Sequence, residues 1–287
     1  MPAHRTGTFG AAIVALAALL MACLTAGCRV GGMGTVKLDD RLRPVAAEAN
    51  FTDLAGDPAE PVIKGLAKLG VLDHTEGYFG PDQVIGRGAF ITWLVRANDI
   101  FFRDQPRRQI PLASSNGLPV FSDVTASVPC FPYVQGMVDR GYPVGWGPQE
   151  LGYDHDLTRE YMIFLRDGVD LGASAVVKDP AEYNPIRIRL RTFLKDADLV
   201  SDPYLAAVLA DVTQGRSIRL AFGKAESLNP KRPLTRREAA LAVSEIRGRT
   251  WQQALKIEPQ WKPLPPQAQK AVEEEAQKEG EEHGGGH

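Results

Sequence analysis

Phe79-Gly80-Pro81-Asp82-Gln83-Val84-Ile85-Gly86-Arg87 decides how this chain is read, because the pattern occurs twice more. Leu151-Gly152-Tyr153-Asp154-His155-Asp156-Leu157-Thr158-Arg159 and Leu228-Asn229-Pro230-Lys231-Arg232-Pro233-Leu234-Thr235-Arg236 align with it without gaps. Each copy has a large apolar residue eight places before its Arg and an aliphatic residue two places before it. Upstream, Phe51-Thr52-Asp53, Phe121-Ser122-Asp123 and Leu194-Lys195-Asp196 stand 34, 36 and 40 residues before their arginines. The units are offset by 70 and 73 residues, Asp to Asp. A chain that repeats itself in this way is an array of similar units, each marginal alone and stable by sharing a core.

Within a unit the pattern predicts helix, loop, helix. Val62-Ile63-Lys64-Gly65-Leu66-Ala67-Lys68-Leu69-Gly70-Val71 aligns with Tyr133-Val134-Gln135-Gly136-Met137-Val138-Asp139-Arg140-Gly141-Tyr142, both with glycines five apart and a helical apolar stripe. Tyr204 to Thr213 is a weaker third copy, with Ala207 at the first glycine position. Second helices are expected to start near Gly88, Glu160 and Arg237. Thr235 with Glu238 forms a capping box in sequence, Thr158 is a lone cap, and Gly86 is a poorer one. Phe90-Trp93-Leu94-Ala97, Met162-Phe164-Leu165 and Ala239-Leu241-Ala242-Ile246 are the faces expected to turn inward.

These residues resemble the S-layer homology (SLH) repeat, which runs from an F-x-D start through a helix and a Gly-containing loop to an I-T-R-A-E entry into a second helix. The resemblance covers about residues 51–247. Its copies are graded: Leu234-Thr235-Arg236-Arg237-Glu238 keeps Thr, Arg and Glu; Leu157-Thr158-Arg159-Glu160-Tyr161 keeps Thr and Arg; Ile85-Gly86-Arg87-Gly88-Ala89 keeps only Arg. The resemblance implies a mainly α fold, three helix-loop-helix repeats in a pseudo-threefold, three-lobed domain with short irregular or β connectors. It also implies inter-lobe grooves that bind cell-wall polysaccharide, peptidoglycan-linked and often pyruvylated, with Arg87, Arg159 and Arg236 at those grooves.

The expected organisation places a lipoprotein signal peptide at 1–27, a lipidated Cys28 and flexible tether at 28–50, and repeats at 51–102, 119–172 and 193–248. Linkers at 103–118 and 173–192 separate them, and a Pro-rich, charged, disordered tail fills 249–287. Arg5 precedes the 14 apolar residues Ala11 to Leu24. That run is shorter than the ~20 residues that span a bilayer and fits a signal-peptide core. Thr25-Ala26-Gly27-Cys28 looks like a lipoprotein box; an ordinary secretory leader with an incidental Cys is the other reading. Arg29 in place of Asp favours the outer membrane in a diderm cell. With Cys23 removed and Cys28 lipidated, Cys130 stands alone as a buried small hydrophobe. Ile186-Arg187-Ile188-Arg189-Leu190-Arg191 suits either a short strand with an Arg face or an amphipathic connector.

A formal charge of −2, falling by one to −3 when Arg5 leaves with the leader, argues against a nucleic-acid partner. His74 and His155 lie in different units, and the nucleophile, zinc and phosphate-loop motifs of enzymes are missing, so the expectation is a non-catalytic protein without cofactor or metal. His283 and His287 on a Gly-rich end make a poor metal site.

Each motif Arg sits in the first turn of its helix, where the dipole disfavours a cation by ~0.3–1 kcal/mol. It therefore wants a partner. The structural reading is an intramolecular carboxylate, such as the F-x-D Asp of a neighbouring unit; the functional one is an external anion seated by guanidinium and helix N–H groups. On the functional reading, Arg236→Ala and Arg159→Ala weaken glycan binding with little change in melting temperature. Trp146, in Gly145-Trp146-Gly147, is either a sugar-stacking platform or a plug between lobes. Asp53, Asp123 and Asp196 read as loop residues accepting backbone hydrogen bonds. The function expected is envelope anchoring: an exported protein whose lipid holds a membrane and whose repeats grip a wall glycan or secondary cell-wall polymer. The alternative is an envelope scaffold whose degenerate repeats bind a protein partner instead.

Overall fold

A computed structural model describes residues 46, 48–114, 116–145 and 150–257. The leader, Cys28, most of the tether, Trp146 and the chain from residue 258 lie outside the described residues. The order is β1 (Asn50–Phe51), α1 (Glu60–Lys68), β2 (Glu76–Gly77), α2 (Arg87–Phe101), α3 (Phe131–Asp139), α4 (Arg159–Leu171), α5 (Ala173–Val176) and α6 (Tyr183–Leu190). It continues through α7 (Leu205–Gln214), α8 (Ser217–Phe222), α9 (Arg236–Ala242), β3 (Glu245–Ile246), β4 (Arg249–Thr250) and α10 (Trp251–Leu255). The fold is mainly helical. β1 and β2 form a two-residue parallel pair, β3 and β4 an antiparallel hairpin.

The second helices α2, α4 and α9 begin at the motif arginines, within one residue of expectation. α2 buries twelve of its fifteen residues and α4 eleven of its thirteen, so both lie inside the core rather than on it. Phe90, Trp93, Leu94, Ala97, Met162, Phe164 and Leu165 are buried, as their spacing predicts. α9 is shorter: it ends at Ala242, and Ile246 reaches the core from β3 instead. The Thr235–Glu238 capping box forms, whereas Thr158 makes no side-chain cap.

What joins the repeats is a closed cycle of backbone hydrogen bonds. Ile85 N–H donates to the Leu234 carbonyl (3.0 Å), Leu234 N–H to Leu157 (2.7 Å), and Leu157 N–H back to Ile85 (3.0 Å). The motif arginines add a second tier: Arg87, Arg159 and Arg236 N–H groups donate to His155, Arg232 and Gln83 carbonyls. A third tier runs from Gly88, Glu160 and Arg237 to Tyr153, Pro230 and Pro81. In each tier, repeat one donates to or accepts from the equivalent place in repeats two and three. The helix-start N–H groups, which lack partners inside their own helices, are thus satisfied by the neighbouring repeat.

The glycines five apart have two separate jobs. Gly70 (φ +79°) and Gly141 (φ +74°) end α1 and α3 in the left-handed conformation that favours glycine. Gly65 instead lies under the Trp251 ring, where a Cβ has no room. Ala207 stands at the corresponding place in α7, which runs on to Gln214.

Three expectations change. Ile186 to Arg191 is not a strand: all but the last residue belong to α6. Of the alternating Ile186, Ile188 and Leu190, only the pair four apart turns inward, and Ile188 stays 64 % exposed. The expected linker 173–192 therefore holds two helices. The tail does not begin at 249: β4 and α10 close the domain, α10 with its own Thr250–Gln253 capping box and with Trp251 against α1.

Candidate functional site

Each motif turns on two side chains that grip one peptide segment from opposite sides. Asp53 accepts hydrogen bonds from the N–H groups of Phe79 (2.9 Å) and Gly80 (2.7 Å), Asp123 from Leu151 (2.7 Å) and Gly152 (2.8 Å), and Asp196 from Leu228 (2.9 Å) and Asn229 (2.6 Å). Gly80, Gly152 and Asn229 all have positive φ (72°, 63° and 52°), which turns two successive N–H groups toward one carboxylate. Gly or Asn stands there because other side chains resist that conformation. Burial alone would raise the Asp53 and Asp123 pKa values, but these backbone donors outweigh it and hold both carboxyls below the ordinary range.

The carbonyl of the same apolar residue is taken by the Arg of the preceding repeat in the cycle. Arg87 Nη1 donates to Leu151 O (2.7 Å), Arg159 Nη1 to Leu228 O (2.8 Å), and Arg236 Nε to Phe79 O (2.8 Å). The F-x-D Asp is therefore coupled to the Arg through a peptide group rather than by direct ion pairing. What else each guanidinium meets depends on the residue two places after the next motif Arg. There Glu238 pairs with Arg159 (2.6 Å), and Tyr161 puts its ring under Arg87 (5.2 Å). Ala89 offers nothing to Arg236, which stacks on Phe79 and Trp93 at about 5 Å. Burial draws the Arg236 pKa down, opposed by the Asp73 and Asp53 carboxylates.

At the seam between repeats two and three, bordered by repeat one, motif residues line an open cleft. It measures ≈ 440 Å³ and includes Arg159, Phe222, Ser227, Arg232, Thr235, Arg237, Glu238 and Asp82. Arg159 forms its floor, 7 % exposed in its side chain, with its guanidinium 4.0 Å above the Phe222 ring. Arg232 (54 % exposed) and Arg237 (33 %) stand at the rim. Arg237 is held by Asp57 (2.8 Å) and Asp82 (3.0 Å), and Arg232 lies 3.7 Å from Glu238. Three guanidiniums meet three carboxylates, Asp57, Asp82 and Glu238, with a ring beneath and Thr235 alongside; Arg232, exposed and 3.7 Å from its carboxylate, has the most donors left for an anionic, hydroxyl-bearing ligand.

Of the glycan contacts expected from sequence, Arg87, Arg159, Arg236 and Trp146, the cleft contains Arg159 among the described residues. Arg236 turns to the seam between repeats three and one, Arg87 to the seam between one and two, and Trp146 lies outside the described residues. Arg232, Arg237 and Phe222 escape a repeat-based search because the other copies have no counterpart. The places of Arg232 hold Gln83 and His155, those of Arg237 hold Gly88 and Glu160, and α8 belongs to repeat three. The signal for the two arginines was the run of basic residues within the best-kept motif.

Cys130 is buried and unpaired with another thiol, and burial pushes its pKa up to about 11. Its Sγ lies 2.8 Å from where a Gly88 Cβ would stand, with Tyr153 O at 3.1 Å. That crowding leaves little room for a side chain at the residue after the first motif Arg. No protein-family model matches this chain, and no curated protein matches it in sequence.

Proposed function

We propose that this chain is a non-catalytic envelope-anchoring protein. Its three SLH-like repeats form one pseudo-threefold, three-lobed domain, and an acidic wall glycan or secondary cell-wall polymer is held in the Arg159–Arg232–Arg237 cleft. The observation that carries this is the open cleft itself, which takes Thr235 and Glu238 from the best-kept motif and Arg159 from the second. The three-fold recurrence of the Asp–peptide–Arg grip supports a common ancestry for the lobes. Export, with Cys28 carrying the lipid and the outer membrane as address in a diderm cell, completes the reading. Arg87, Arg236 and Trp146 remain proposed glycan contacts of second rank.

The second reading, an envelope scaffold bound to a protein partner, is favoured by one observation: all three motif guanidiniums already donate to backbone carbonyls. Purified sacculi separate the two. The protein should sediment with untreated sacculi and not with sacculi stripped by hydrofluoric acid, and Arg237→Glu should reduce sedimentation about tenfold or more. Failure to sediment with either preparation favours the scaffold.

A further inference from the structure

A second cationic groove lies at the opposite end of the second helices from the motif loops. One part, ≈ 350 Å³, is lined by Phe102, Arg108, Arg247, Gly248 and Arg249; the other, ≈ 460 Å³, by Arg108, Arg216, Arg247 and Gly248 among others. Arg108, Arg247 and Gly248 line both parts, which adjoin across them.

Its arginines fall into two kinds. Arg249 Nη1 caps the end of α2 by donating to Phe101 O (2.6 Å), and Arg247 Nε donates to Val169 O (2.9 Å) near the end of α4. Cations at helix C-termini are a structural device in their own right. Arg108 and Arg216 cap nothing. Arg108 is exposed, and its guanidinium lies 5.1 Å from the Phe102 ring, which Arg249 also approaches, at 4.6 Å. Asp104 and Asp170 also line the groove: Asp104 pairs with Arg249, Glu245 with Arg216, and Asp170 with buried Arg166 (3.1 Å) and the Arg247 N–H (3.0 Å), which leaves Arg108 and Arg247 as its arginines without an ion pair among the described residues. Behind the groove wall, Asp211 is taken by the Ser217 and Ile218 N–H groups and Asp167 by the Ser217 hydroxyl. Among the described residues, no carboxylate forms an ion pair with Arg108 or Arg247.

Arg247 adds a second, independent observation. It and Gly248 are the two central residues of the β3–β4 hairpin, both at positive φ (49° and 77°). Such a turn prefers Asn or Asp before Gly, because a longer side chain is strained there. An Arg held in this conformation, with its guanidinium spread over Val169 O, Arg108 O and the Tyr142 hydroxyl, is held for where it puts its charge.

We infer that this groove is a second anion site, which takes an extended ligand carrying two or more phosphate or carboxylate groups across Arg108 and Arg247, with the ion-paired Arg216 at one end. The inference does not rest on the glycan reading and uses none of the motif residues. Calorimetric titration of the full chain at low salt with inorganic tripolyphosphate, and in a parallel arm with tricarboxylic citrate, tests it and distinguishes phosphate from carboxylate. Binding of at least one probe is expected, stronger than that of orthophosphate, weakened by added salt, and reduced about tenfold or more by Arg108→Glu. Arg108 is exposed and, among the described residues, in no ion pair, so the thermal melt of the variant should be unchanged. Arg189→Glu, exposed on α6 and lining neither the groove nor the motif cleft, should leave the titration unaltered. No binding of either probe, binding that ignores Arg108→Glu, or equal loss in Arg189→Glu overturns the inference.

Discussion

Asp53, half-buried, and Asp167, fully buried, are carboxylates that respond to pH in opposite directions. Asp53 receives two backbone N–H groups, which hold its pKa below the ordinary ~3.9. The stability it contributes is present above that ordinary value and is lost as pH falls through the lower folded value. Asp167 is fully buried, and burial followed by the Asp211 carboxylate pushes its pKa well above the ordinary value, against Arg166 and the Ser217 hydroxyl bond. Its contribution is fully present below the unfolded pKa and is lost as pH rises through the raised folded one. Asp53→Asn should therefore destabilise by about 1–3 kcal/mol at neutral pH, because an amide cannot accept from both N–H groups, and the deficit should shrink in acid. Asp167→Asn should gain on the parent as pH rises, since the variant never has to ionise in the interior. Urea melts from about pH 3 to about pH 9 read both slopes; parallel curves for parent and variants would refute the assignment. The Asp53 role was legible in sequence from its place before a turn. The Asp167 network was not, because residues 167, 211, 216, 217 and 245 meet only when α4, α7, α8 and β3 pack together.

Among the elements, the ones bearing the repeat were readable and the ones interrupting it were not. α1, α3, α2 and α4 follow from apolar spacing and from glycines at their ends. α6 hid behind a period of two, and the hairpin and α10 lie beyond the last motif, in a segment whose prolines and charges suggested a tail. Yet α10 closes the structure: Trp251 covers Gly65 on α1, in the space a side chain there would need. Gly65→Ala should cost about 1–3 kcal/mol through overpacking, although alanine favours a helix. Trp251→Leu in the Gly65→Ala background should recover part of the loss, because it removes the ring that the new methyl group meets. A double-mutant cycle with no coupling between the two positions would show that α10 does not pack as described.

At the scale of the whole molecule, the three seams share one backbone cycle and differ in what reinforces it. Between repeats one and two it is Gly88 close against Cys130, with Arg87 on Tyr161. Between two and three it is Arg159 with Glu238, and Glu160 with Lys231 (2.7 Å) and Ser201. Between three and one it is Arg237 with Asp57 and Asp82, and Arg236 stacked on Phe79 and Trp93. In every tier each repeat donates to one neighbour and accepts from the other, so detaching any one repeat breaks two of the three seams and strands its helix-start donors, and the domain should unfold as one unit. That changes what the motif arginines predict. Arg159→Ala leaves Glu238, whose side chain is 12 % exposed, without its close partner, a loss of about 3–5 kcal/mol for a buried pair. For a domain of this size the midpoint should fall by about 10 °C, not stay level as a purely ligand-facing Arg would allow. Arg236→Ala should act in the same direction by uncovering Phe79 and Trp93. In both variants, far-ultraviolet circular dichroism and tryptophan fluorescence should shift together in a single transition. Separate midpoints would mean that repeat three can detach while repeats one and two stay folded, and the cycle would then be a contact between units rather than the frame that makes them one.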